Sequence, residues 1–221
     1  EKAGIIKPNV PVVIGKKQSE TVSVFDFFAH KNNAELIYAE NTHINYKLDL
    51  KGYCQKDNSK TVLTTIKKLQ NKGWEIPEKA IKKGFNKTVK NTGLIGRWNT
   101  LQKNPKVICD TGHNEDGIKL IVQQLEDETY ENLHIVWGMM KDKKTSKILN
   151  LLPKNAKYYW CSPKIERALT TKELEANAFD LKLKGKTYDS VLEAKENAIK
   201  SGGQNDLVFI GGSTFVVAEA L

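Results

Sequence analysis

Asp110 and His113 stand three residues apart, directly after the apolar run Val107-Ile108-Cys109 and directly before a stretch with helical character. A carboxylate in that position suits hydroxyl donors, such as those of a ribose. Phosphate suits it poorly. Glu115 and Asp116 put negative charge where a phosphate-cradling helix start has none, and the loop holds neither a Gly-rich run nor a lysine. A plain turn cap is the alternative for Asp110, and Asp fills that role often. Arg97, about a dozen residues upstream, offers a planar fork for phosphate or for developing negative charge. Gly211-Gly212-Ser213 is a second turn with chemical potential: its glycines permit close backbone approach, and the serine hydroxyl can bind a ligand or cap a helix. Of the four histidines, His30, His43 and His134 have no partner that the sequence suggests.

These groups need a frame. Val107 to Cys109 reads as a strand buried on both faces, Gly112 as the residue that lets the chain turn sharply, and Asn114 as an N-cap. Ile118, Leu120, Ile121, Val122 and Leu125 then give a helix to about Glu126. Asp110 and His113 are therefore expected at the carboxyl end of a parallel strand, where open α/β sheets bind ligands. The alternation continues with strands at 133–138, 158–161 and 207–210. Helices are expected at 143–152 (ended by Pro153), 171–178 and 188–201 (ended by Gly202-Gly203), with a last one after Ser213. The fold class is α/β, with a doubly wound and largely parallel sheet. Upstream, strands are expected at 10–14, 36–39 and, half exposed, 46–50. Helices are expected from Ser19 (as N-cap) to Asn33, from Gly52 to about Gly73, and over 77–83. The polar stretch 84–96 reads as a linker, with a domain boundary near residue 91.

The chain has 221 residues and a formal net charge of +9. Such a charge can signal nucleic acid or an anionic ligand, but the lysines are scattered and not interleaved with aromatics, so solvated helix faces are the better reading. Cys54, Cys109 and Cys161 are odd in number and lack a Cys-x-x-Cys pair, which argues for a reducing cytoplasm and against a disulfide framework or a zinc site. No apolar run reaches membrane-spanning length, and no signal peptide is expected.

The order of motifs carries a resemblance. Gly96-Arg97-Trp98, then about a dozen residues, then Asp110-Thr111-Gly112-His113-Asn114, resembles the C-terminal-domain pattern of the Mur ligase superfamily. Within it the chain looks like folylpolyglutamate synthase/dihydrofolate synthase. Glu1-Lys2-Ala3-Gly4-Ile5, then Lys7-Pro8 and a Val-rich strand, resembles part of that family's central ATPase domain, as does Gly52-x-x-Gln55-x-x-Asn58. The pattern departs from the common form at Gly112 (usually Ala), Glu115 (usually Pro) and Ile95 (often Pro).

The resemblance implies an ATP-dependent ligase that activates a folate or dihydropteroate carboxylate as an acyl phosphate, which the amine of L-glutamate then attacks. ATP and Mg²⁺ are the implied cofactors. Arg97, Asp110 and Asn58 would be nucleotide contacts, and His113 and Ser213 would lie in the glutamate site. His113 and Lys2 would be catalytic, Lys2 as a carbamate that gives oxygen ligands to a hard cation. The alternatives are an ordinary solvated lysine at position 2 and a simple N-cap at Ser213. On this reading residues 1–90 are part of the central ATPase domain and 91–221 the C-terminal glutamate ligase domain. No Gly-x-x-x-x-Gly-Lys-Ser/Thr occurs in the chain. We therefore expect a C-terminal fragment that is inactive alone, with most of the ATP and Mg²⁺ site upstream and with Val12 to Ile14, Leu36 and Ile37 beside an unpaired edge that invites self-association. The rival readings are a non-catalytic anion- or nucleic-acid-binding α/β module, favoured by the charge, and a Mur-type cell-wall amino-acid ligase, disfavoured by the Lys2 and Asn58 motifs.

Overall fold

The computed structural model describes residues 1–141 and 145–221, which form two compact units. The first comprises Glu1–Asp49 and Cys54–Thr92, the second Leu50–Tyr53 and Gly93–Leu221.

In the first unit a 3-10 turn (Lys2–Ile5) leads to β1 (Val12–Ile14), α1 (Ser19–Lys31) and β2 (Leu36–Tyr38). β1 and β2 pair in parallel, with Val12 opposite Leu36, so β1-α1-β2 is one crossover unit. Gln18, not Ser19, is the N-cap of α1, and Asn33 lies beyond its end with φ 48°. α2 (Cys54–Asn71), α3 (Glu78–Asn86) and α4 (Thr88–Thr92) complete the unit.

Two expectations are corrected here. Residues 46–50 form no strand. Tyr46 instead stacks on Phe85 of α3 at 5.2 Å and donates to Glu78, while the Asp49 N–H donates to the Phe85 carbonyl. The alternating apolar residues are spent on a helix, so no neighbouring strand is needed. The expected linker is also partly helical: α3 runs on to Asn86, and the Asp49 carboxylate accepts the Val89 N–H at 2.9 Å, which satisfies an orphan donor at the start of α4.

The second unit is built on a six-stranded sheet. Its elements are β3 (Arg97–Gln102), β4 (Lys106–Asp110), α5 (Glu115–Glu126), β5 (Leu133–Trp137), α6 (Thr145–Leu151), β6 (Lys157–Trp160), α7 (Thr171–Asp180), β7 (Gly185–Thr187), α8 (Val191–Ser201), β8 (Leu207–Gly211) and α9 (Thr214–Ala220). The order is β3-β4-β8-β5-β6-β7, with β3 antiparallel to β4 and every other pair parallel. The expected start of α6, at Lys143 and Lys144, lies outside the described residues.

Strand alternation sorts the core onto two faces. Ile108, Ile135, Trp137, Tyr158, Trp160 and Phe209 pack with Ile118, Leu125, Leu149 and Leu174 of α5 to α7. Val107, Cys109, Val136, Tyr159, Val208 and Ile210 pack with Val191, Ala194, Ala198, Val216 and Val217 of α8 and α9. The chain winds outward from β4 to β7 under one layer of helices and returns through α8 to place β8 between β4 and β5, under the other.

β3 and β7 were not legible as strands. Their residues, Arg-Trp-Asn-Thr-Leu-Gln and Gly-Lys-Thr, hold no apolar run because both strands are sheet edges facing solvent on one side. Burial also pushes the thiols of Cys109 and Cys161 up to about 11 and about 12, so neither is a reactive thiolate near neutral pH.

His134, expected to lack a partner, has two. The neutral ring donates from Nε2 to Asp206 Oδ2 at 3.2 Å and accepts at Nδ1 from the Tyr159 hydroxyl at 2.9 Å. Asp206 also accepts the Asn132 and Gly203 N–H groups and the Asn132 amide, which locks the amino ends of β5 and β8 together.

Burial lowers the His134 pKa below 6.5, against the pull of Asp206. Burial also acts to raise the Asp206 carboxyl, but its hydrogen bonds hold it at about 2, below the ordinary 3.8. Both folded values lie below the unfolded ones, so both contributions are complete above the unfolded pKa and are lost on acidification. The urea midpoint should be level above pH 6.5, fall as His134 titrates, and fall again between 3.8 and about 2. In His134→Gln the first fall should disappear and the second remain; an unchanged profile would contradict this account.

β1 and β2 are half-exposed, whereas β4 and β8 are interior strands of a covered sheet. Amide hydrogens of 107–109 and 207–210 should therefore exchange far more slowly than those of 12–14 and 36–38. Equal protection in a demonstrably monomeric sample would refute this.

Candidate functional site

The carboxyl end of β4 gathers the chemistry. Asp110 is almost fully buried. Its Oδ2 accepts the Trp98 N–H at 2.8 Å and its Oδ1 the Gly112 N–H at 2.8 Å. Burial pushes its pKa up from 3.8, opposed by these two N–H groups and by Arg97. The first role of Asp110 is thus to join the start of β3 to the turn after β4.

Gly96 makes that junction possible. It has φ +85°, and a Cβ there would lie 2.6 Å from Thr111 Cγ2. Its carbonyl accepts both the Thr111 N–H, at 3.0 Å, and the Thr111 hydroxyl, at 3.1 Å. The Thr111 Oγ1 in turn accepts from Arg97 Nη1 at 3.0 Å. Between them a bulge shifts the register, with Arg97 opposite Asp110 and Asn99 opposite Cys109. Trp98, in the bulge with φ 55°, buries its ring near Phe209. The outcome is an exposed guanidinium that, among the described residues, is held by one N–H and has further donors without a hydrogen-bond partner.

His113 is exposed, and its Nδ1 lies 3.0 Å from the Thr111 carbonyl. A carbonyl only accepts, so Nδ1 carries the hydrogen and Nε2 is the acceptor of the neutral ring. Asn114 caps α5 by accepting the Gly117 N–H at 2.8 Å. Gly112 is not in the left-handed region, so it is not required for the turn as expected. What it provides is room: a Cβ would lie 2.5 Å from Ile121 Cδ1 and 3.2 Å from Asp110 Oδ1.

β8 ends beside β4. A Cβ on Gly211 would come 3.2 Å from the Asp110 carbonyl, and one on Gly212 (φ +92°) would meet the Gly138 carbonyl at 2.5 Å and the Trp137 ring at 2.7 Å. Ser213 is buried and caps α9, its Oγ accepting the Phe215 N–H at 3.1 Å, which leaves the hydroxyl hydrogen for another acceptor.

Arg97, Asp110 and His113 therefore meet at one strand end, with Ser213 at the start of the helix after the neighbouring strand. Lys2 and Asn58 belong to the first unit, and both are exposed. Asn58 lies inside α2, not at its cap, and donates to Gln55 Oε1 at 3.2 Å. Thr111, which bonds to Arg97 and Gly96 and orients His113, is a site residue that sequence reasoning does not single out; its place inside the Asp-x-Gly-His motif is the available signal. Among the described residues no group of three or more His, Cys, Asp and Glu could hold a metal ion, and no helix is long and apolar enough to cross a membrane.

Residues 96–214, just over half of the chain, match the family model described as Mur ligase, glutamate ligase domain. The chain is 25% identical to the dihydrofolate synthase/folylpolyglutamate synthase of Escherichia coli K12, over 100% of its own length and 53% of the relative's. Among solved structures it resembles E. coli FolC in complex with DHPP and ADP, with TM-score 0.82, 24% identity and coverage of 99% of this chain and 54% of that one. It also resembles the bifunctional folylpolyglutamate synthase/dihydrofolate synthase of Yersinia pestis complexed with AMPPNP and Mn ion, with TM-score 0.81, 19% identity and coverage of 98% and 53%. The chain spans about half the length of these proteins.

Gly96 and Gly112 should respond differently to alanine. Gly96→Ala meets both a positive φ and a side chain held by two hydrogen bonds, and should cost about 2 kcal/mol or more in urea unfolding. Gly112→Ala meets the flexible end of Ile121, which can rotate away, and more loosely Asp110 Oδ1 at 3.2 Å, without a positive φ, and should cost less than about 1 kcal/mol. Equal costs would refute the distinction.

Proposed function

The chain belongs to the Mur ligase family through its glutamate ligase domain, and on that premise we propose that it is part of an ATP-dependent ligase adding L-glutamate to a folate or dihydropteroate carboxylate. ATP would phosphorylate the carboxylate to an acyl phosphate, and the glutamate amine would displace the phosphate, giving an amide, ADP and inorganic phosphate. The observation that carries the reading is the exposed Arg97 guanidinium, fixed on Thr111 beside His113 at the carboxyl end of β4. The names of the relatives and the nucleotides in the similar structures support it.

Each residue has a role on this reading. Arg97 meets phosphate or the charge that develops during transfer. His113, with Nδ1–H committed to Thr111, keeps Nε2 as the acceptor toward the glutamate amine. Ser213 offers its hydroxyl hydrogen to a glutamate carboxylate. Asp110 has spent one lone pair on each oxygen and retains acceptor capacity for a ribose hydroxyl. Asn58 is a further nucleotide contact. Lys2 would act only as a carbamate, supplying oxygen to Mg²⁺; the described residues provide no other ready metal cluster, so no step is derived through the ion. Residues 1–90 are assigned to the central ATPase domain and 91–221 to the glutamate ligase domain, in keeping with the division at Thr92 and Gly93. The three free cysteines favour a cytoplasmic setting.

In the full-length protein, ADP release should require both the pterin substrate and glutamate. Arg97→Ala should lower kcat by the equivalent of roughly 2–4 kcal/mol. Asp110→Ala should mainly raise the KM for ATP and, unlike Arg97→Ala, also lower stability, because two buried N–H groups lose their acceptor. The 221-residue chain alone should release no ADP. Substrate-dependent ADP release by the chain alone, or purely KM effects from both variants, would overturn these assignments.

A further inference from the structure

Three lysines converge on one face at the outer edge of the second unit's sheet. Tyr159 pairs with Lys186 and Tyr158 with Gly185, and the Tyr158 N–H donates to the Lys184 carbonyl at 3.0 Å, so Lys157 stands opposite Lys184. Alternation puts Lys157, Tyr159, Lys184, Lys186 and Tyr188 on the same side, the one covered by α8, to whose core Tyr159 belongs. They line a cavity of about 350 Å³ together with Ser201, the last residue of α8.

The Tyr159 and Tyr188 rings stack at 5.6 Å and 24°, which gives the cavity a flat aromatic wall. The Tyr159 hydroxyl is committed to His134, so the polar capacity of the cavity rests on three ammonium groups and the Tyr188 and Ser201 hydroxyls. Among the described residues no carboxylate lines it and none of the three lysines has an ion-pair partner. Like charges directly opposite each other in a sheet are destabilising. Lysine on an edge strand does guard against unwanted pairing, but that role does not require the charges to share one cavity with a residue of the next strand inward.

We propose that this cavity binds a small multivalent anion of the pyrophosphate or polycarboxylate kind, at a place separate from the carboxyl end of β4. Lys157 and Lys184 lie at the opposite, amino ends of their strands, so the ligand would not share the groups around Arg97.

The test is an amide NMR titration of the 221-residue chain with inorganic pyrophosphate, repeated with citrate and, at matched ionic strength, with acetate. Saturable shifts should centre on residues 157–159, 184–188 and 201 for the multivalent anions and be absent for acetate; the tighter of pyrophosphate and citrate identifies the phosphate or carboxylate source. Lys184→Gln/Lys186→Gln should weaken binding by roughly tenfold, three- to fivefold for each exposed charge lost, while Arg97→Ala leaves it unchanged. If the double variant self-associates through its altered edge, Lys157→Gln, on the inner strand, gives the same comparison. The proposal fails if no saturable binding occurs, if the shifts fall instead on 96–98 and 110–113, or if lysine removal leaves the affinity unchanged.

Discussion

A single buried carboxylate sets the geometry at the carboxyl end of the second unit's sheet. Asp110 receives one N–H from the bulge in β3 and one from the turn after β4. A carboxylate taken out of water must be hydrogen-bonded or it destabilises the fold, and these two bonds fix both segments at once. Around that anchor, Gly96 offers its carbonyl to Thr111, and Thr111 positions the Arg97 guanidinium on one side and the His113 ring on the other. The exposed groups are precise because buried ones hold them.

The sheet has a second buried carboxylate at its other end, and the two differ in a telling way. Asp206 takes two N–H groups, an amide and an imidazole, and these hold its pKa at about 2 despite burial. Asp110 has only two backbone donors and the more distant Arg97, so burial prevails and its pKa rises. Asp206 is a saturated structural clasp. Asp110 combines a structural duty with unspent acceptor capacity on both oxygens.

Between these ends, the return of β8 to the middle of the sheet places two strand-to-helix turns side by side. Gly211 and Gly212 let them approach closely: a Cβ on Gly211 would strike the Phe209 ring and crowd the Asp110 carbonyl at 3.2 Å, and one on Gly212 would strike the Gly138 carbonyl and the Trp137 ring. Close approach alone is what glycine serves at Gly112 and Gly211, whereas Gly96 and Gly212 also supply a positive φ.

Much of this was legible in the residues themselves. The apolar runs at 107–109, 133–137, 158–160 and 207–210 are strands because each is buried on both faces, and Asn114 caps its helix because its side chain reaches the Gly117 N–H. Arg97, Asp110 and His113 could be singled out because their motif is local. What the sequence could not determine depends on partners remote along the chain. β3 and β7 are strands only because β4 and β6 offer them a ladder, and residues 46–49 are a loop only because Phe85 and Val89 claim their ring and carboxylate. His134 needed Asp206, 72 residues away, before its buried ring had any explanation. Local pattern fixes which residues are apolar, charged or able to cap. The pairing of edges, the structural duty of Asp110 and the gathering of lysines beside Tyr159 arise only when distant segments are packed, because hydrogen bonds and burial are settled by neighbours in space.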